Sequence, residues 1–172
     1  MFASFINKYI ACCNNKNAVV NIEIENKQQI SWQDTKPFIP PINGGVVIKV
    51  YDGDTITIAS TLTINSKTEM YRFSIRLSGI DAAEIKSKNE DEQIVAREAR
   101  DCLSNLILHK YVSIKNINME KYGRILADVY FKDIHINKWM LSQRFAVDYD
   151  GGTKKSPASW LKYRLTGQHN QI

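Results

Sequence analysis

The chain has few of the side chains on which soft-metal and nucleotide-driven chemistry depends. Its three cysteines, Cys12, Cys13 and Cys102, cannot all pair, and they form neither a C-x-x-C motif nor any Cys/His spacing suited to zinc. Reduced thiols in an intracellular, cytoplasmic protein are the expectation. The three histidines, His109, His135 and His169, stand far apart in sequence, which argues against zinc and against histidine-based proton transfer. A P-loop and a G-x-G-x-x-G fingerprint are both missing, and Ser78 in "RLSGID" lacks the nucleophile-elbow pattern, so nucleotide-fuelled and serine-hydrolase chemistries fall away. Long apolar runs are missing too. The opening "MFASFINKYIACC" is interrupted by Asn7 and Lys8, so neither a signal peptide nor a transmembrane helix is expected.

Proline is scarce, and three of its four copies fall in "KPFIPPINGG", a composition that favours an extended linker ending in a turn. It divides the chain into an N-terminal extension (1–45), a folded domain (46–166) and a short tail (167–172). Within the extension, Phe2, Phe5, Ile6, Tyr9 and Ile10 recur at helical spacing and predict one short amphipathic helix. So short a helix needs a surface to cover it. A protein partner, a second copy of the chain or a membrane could supply that surface, with Cys12 and Cys13 as acylation candidates in the last case.

What is present is a well-mixed globular composition, 44% hydrophobic and 24% charged, with a formal net charge of +5. The basic excess sits mainly after residue 120, a mild bias toward polyanionic partners to which Lys154, Lys155, Lys162 and Arg164 contribute. From Val46 the pattern alternates: "VVIKVYDGDTITIASTLTI" reads as strand, turn and strand, and "EMYRFSIRLSG" as a third strand. "NEDEQIVAREARDCLSNLILHK" then places Val95, Ala99, Cys102, Leu103, Leu106 and Ile107 on one helical stripe, with Glu90, Asp91 and Glu92 at its positive N-terminal end. "YVSIKNI" and "RILADVYF" predict two more strands and "INKWMLSQRFA" a second helix. "SPASWLKYRL" predicts a third helix, with Ser156 at the N-cap and Pro157 at N1. The order βββ-α-ββ-α-α fits an α+β, mainly β chain folded as a five-stranded OB-fold barrel with three helices.

The chemistry-bearing residues are acids and arginines. "YDGDTI" supplies Asp52 and Asp54 at a hairpin turn, and "GIDAAE" supplies Asp81 and Glu84 beyond the third strand. Alone, such residues are ordinary turn and loop charges. If Asp54 and Asp81 meet across neighbouring strands, they repel by roughly 4 kcal/mol at 4 Å and an effective dielectric near 20, and so call for a cation or a proton. Oxygen donors without thiolate or imidazole select Ca2+ or Mg2+, and the looser shell of Ca2+ suits two aspartates, a carbonyl and waters. Arg76, inside an alternating strand, needs an anionic partner, for which Glu84 or a bound phosphate is the candidate. Arg124 follows a "KYG" turn and can reach the same face of the barrel.

In that order, "KVYDGDT", "RLSGIDAAE" and "EKYGRILADVY" resemble the three motifs of the staphylococcal nuclease-like (thermonuclease) family, and "INKWMLSQRFAVDY" resembles that family's following helix. The resemblance implies an OB-fold barrel that binds one Ca2+ and hydrolyses phosphodiesters of single-stranded DNA and RNA, leaving 3′-phosphate ends. It implies Asp54, Asp81 and the main-chain carbonyl of Ala82 as metal ligands, and Arg76, Glu84 and Arg124 as the catalytic set. Lys121, Tyr122 and Tyr149 become the candidate substrate contacts. Ala83 stands where the family usually has proline, which predicts a loosened loop before Glu84. The alternative is a noncatalytic OB module that grips nucleic acid or protein, as degenerate relatives lacking one or more of the five charges do.

Overall fold

The structure, a computed structural model, describes residues 29–120 and 122–169. The predicted helix near the N-terminus, with Cys12 and Cys13, lies outside the described residues. The chain divides into two compact units, Met1–Lys36 and Pro37–Ile172. In the first, residues Trp32–Asp34 form one 3-10 turn, and the Ser31 backbone N–H donates to the Asp34 carboxylate at 2.9 Å.

In the second unit, strands β1 (Gly44–Val50), β2 (Thr55–Ile64) and β3 (Lys67–Leu77) form an antiparallel meander. The β2–β3 hairpin keeps one register from Thr55↔Arg76 to Ile64↔Lys67 and reverses at Asn65–Ser66, both at positive φ, the backbone that matches strand twist in a two-residue turn. A short strand β4 (Ile80–Ala82) and helix α1 (Glu90–Ile107) follow, then β5 (Tyr111–Met119) and β6 (Ile125–Phe131). Antiparallel pairing of β1 with β5 and parallel pairing of β3 with β6 close five strands into a barrel. The last elements are β7 (Ile134–His135), α2 (Ile136–Ser142), β8 (Ala146–Asp148) and α3 (Trp160–Thr166). Among the described residues, no helix is long and apolar enough to cross a membrane.

The expected barrel and three helices are present, with differences at the edges. Gly44 and Gly45, read as a boundary turn, are strand residues squeezed between β5 and β2: an added Cβ would lie 2.3 Å from the Val112 oxygen at Gly44 and 2.4 Å from the Ala59 oxygen at Gly45. Helix α3 starts later than "SP" suggests. Ser159, rather than Ser156, is its N-cap and accepts from the Lys162 N–H, while Pro157 is buried ahead of the helix. Helix α2 stops at Ser142, where Arg144 at φ +59° turns the chain so that Ala146 can enter β8. Strand β8 pairs with β4, a contact across more than 60 residues that local periodicity does not reveal.

The core joins Val47, Ile56, Ile58, Ile75 and Leu77 of the meander to Val95, Ala96, Ala99, Leu103 and Ile107 of α1. Asn89 caps α1 by accepting from the Asp91 and Glu92 N–H groups. Buried Asn137 ties α2 to the barrel. Its amide donates to the Ser78 oxygen at 2.8 Å and the Ala127 oxygen at 3.2 Å, and its Oδ1 accepts from the Val129 N–H at 3.0 Å.

Candidate active site

Asp54 ends the β1–β2 turn, fixed through its main chain: its N–H donates to Asp52 Oδ1 and its carbonyl accepts from the Leu77 N–H. Only 6% exposed, its carboxylate accepts from the Thr55 hydroxyl at 3.0 Å and from the Ala82 N–H at 3.0 Å. Asp81, 2% exposed, is delivered from the other side by the pairing of β4 with β8.

Arg76 joins the two acids. Strand alternation turns Ile75 and Leu77 into the core and Arg76 the opposite way, where one guanidinium nitrogen pairs with Asp54 and the other lies 3.2 Å from Asp81. Its partners are therefore these two aspartates rather than Glu84, because β4 brings Asp81 back beside the strand that carries Arg76. Burial pushes the Asp54 carboxyl up to about 6 despite the Arg76 charge, with Asp52 adding to the rise. Burial also raises Asp81, against the opposing pull of Lys154. For both acids the cost of burial outweighs the positive charges beside them.

Glu84 lies past β4 at the mouth, its side chain 54% exposed and 2.9 Å from the Lys154 ammonium. The segment leading to it is packed rather than loosened: Ala82 and Ala83 are buried, the Glu84 N–H donates to Glu92 of α1 at 3.0 Å, and the Ser87 hydroxyl donates to the same carboxylate at 2.6 Å. The first turn of α1 holds what proline would otherwise stiffen. Arg124, at the start of β6, is gripped by both oxygens of Glu120 at 2.9 and 2.8 Å and donates to the Thr55 hydroxyl at 3.3 Å. The Glu120 hydrogen bonds hold its guanidinium above its ordinary pKa.

Arg76, Glu84, Arg124, Asp54, Tyr122 and Tyr149 line one cleft of about 870 Å3. Lys121 lies outside the described residues. Tyr149 follows a strand, β8, rather than a helix, and its hydroxyl donates to the Gly152 oxygen at 3.1 Å. Sequence reasoning missed three residues here. Glu120 was visible as an acid four positions before Arg124, and Tyr51 as the neighbour of the "DGD" turn that lines the same cleft. Lys154 had no local signal. The sequence reads it with Lys155, Lys162 and Arg164 as basic residues drawn to a polyanion, yet Lys154 pairs with Asp81 and Glu84, and Arg164 with Glu98 at 2.7 Å. Among the described residues, no three His, Cys, Asp or Glu side chains gather in a metal-binding group. Oxygens beyond the two aspartates would have to come from main chain or water.

The sequence model of the family described as staphylococcal nuclease homologue matches residues 74–164, more than half of the chain. The chain belongs to that family. The chain is 33% identical to an uncharacterized endonuclease of Haemophilus influenzae over 60% of this chain and 51% of that protein. It is also 33% identical to an uncharacterized endonuclease of Escherichia coli over 62% of this chain and 61% of that one. A probable endonuclease of Schizosaccharomyces pombe is 35% identical over 45% of this chain and 37% of its own length. The chain thus spans between about a third and three fifths of these relatives.

Proposed function

We propose that the protein is a Ca2+-dependent nuclease that hydrolyses phosphodiesters of single-stranded DNA and RNA with little sequence preference, leaving 3′-phosphate ends. The observation that carries this reading is the convergence of Asp54, Arg76, Glu84 and Arg124, drawn from three separated motifs, on one cleft, with Asp81 paired to Arg76 beside it. Membership of the staphylococcal nuclease homologues, and relatives named as endonucleases, support it. A noncatalytic module would have no need to keep all five charges.

The donor set fits a hard divalent cation. Two buried aspartates share the Arg76 guanidinium, and burial still raises the Asp54 carboxyl to about 6. Asp54, Asp81 and the Ala82 carbonyl would hold the ion, with water filling the rest of a Ca2+ shell. Bound there, it would supply neutralising charge to a phosphate oxygen.

The chain's own residues divide the remaining work. Glu84, exposed at the cleft, takes the proton of the attacking water. Arg124, oriented by Glu120, donates to the phosphoryl oxygens as negative charge builds and assists the leaving 5′-oxygen. Arg76 also donates to the phosphoryl oxygens while holding Asp54 and Asp81 in register. Tyr51, Tyr122 and Tyr149 offer rings for sequence-tolerant base stacking, with Lys121 beside Tyr122 in the chain. The deciding assay incubates the pure protein with single-stranded DNA and with RNA, with Ca2+ or a chelator. Shortening only with Ca2+ is expected, and intact polymer in both would overturn the reading.

A further inference from the structure

Lys154 reaches from solvent onto a buried acid. Its ammonium lies 2.9 Å from Asp81 Oδ1 and 2.9 Å from Glu84 Oε1, although its side chain is 50% exposed and that of Asp81 only 3%. It is carried by the segment between β8 and α3, where Gly151 at φ +90° turns the chain and the Gly152 N–H donates to Asp150. Arg76 shares the same Asp81 oxygen at 3.2 Å but is also anchored by Asp54 in a nearly buried position. Of the two cations on Asp81, Lys154 is the one with an open path back to water.

Resting on the metal-dependent reading above, we propose that Lys154 is an internal counterion of the acidic site, which a divalent cation must displace from Asp81 before it can bind. An ammonium and a divalent ion repel at contact distance, and a carboxylate oxygen already receiving two nitrogen donors has little room for a metal. Lys154 holds the metal-free site together and sets its affinity for the metal by competition. Once displaced, the ammonium stays in the cleft that contains Arg124 and Tyr149, where a phosphodiester is the next available anion.

The test is calorimetric titration of the full, metal-free chain with CaCl2, comparing wild type with Lys154→Met and Lys154→Arg. Lys154→Met is expected to bind Ca2+ about tenfold more tightly, while Lys154→Arg, which keeps the charge, stays near wild type. Equal or weaker binding by folded Lys154→Met would overturn the competition and leave the metal-dependent reading standing. If no chain takes up Ca2+, that reading fails and the competition fails with it.

Discussion

Glu84 and Asp54 are both acids of the cleft, but burial gives them different work. Glu84 is half exposed and contributes little to packing, so Glu84→Gln should lower turnover by about a hundredfold or more while the thermal midpoint stays within a degree or two. Wild-type turnover in that variant would remove Glu84 as the base. Asp54 is buried against Arg76 and the Ala82 N–H; Asp54→Asn should fold, yet bind Ca2+ at least about tenfold more weakly in a direct titration. Unchanged affinity would exclude Asp54 as a ligand. All five charged residues were legible because each sits in a motif of contiguous residues. Their partners were not: Arg76 meets Asp81 through the return of β4, and Lys154 meets Glu84 across 70 positions.

The elements position the site through a few polar ties. Asn137→Ala would take from the Val129 N–H and the Ser78 carbonyl their Asn137 partner beside α2, while the Ala127 carbonyl keeps the Ser78 N–H, and should cost about 2–3 kcal/mol in denaturant unfolding with an unchanged slope. A loss below half a kcal/mol would show that α2 docks without it. On β6, burial raises the Asp128 carboxyl, but hydrogen bonds from Ser78 and Asn116 outweigh burial and hold it below its ordinary value. The sign follows: its contribution is present above the unfolded-state pKa near 4 and is lost as pH falls through the lower folded value. Stability of the wild type should therefore drop between about pH 5 and pH 2 more steeply than that of Asp128→Asn, and parallel pH curves would refute the tie. Strand alternation and the α1 stripe made the barrel and its main helix legible. The late start of α3 was not, because "SPAS" offers two competing caps, Ser156 and Ser159, and only the second stands directly before the buried Trp160 that opens the helix.

For the molecule as a whole, the cleft lies where the β1–β2 turn, the segment after β3, the start of β6 and the segment after β8 come together. In the proposed nuclease, that placement presents acids, arginines and tyrosines to the nucleic-acid substrate. Affinity for an oligonucleotide in chelator should fall as salt rises, since phosphate contacts release counterions, and a salt-independent affinity would contradict an electrostatic cleft. The proposed cleavage is tested most directly by following a 5′-labelled single-stranded DNA with Ca2+, with chelator, and with Glu84→Gln prepared in parallel. A Ca2+-dependent nuclease should yield shortened products ending in 3′-phosphate for the wild type with Ca2+ alone. Intact DNA throughout, or equal cleavage by Glu84→Gln, would contradict it.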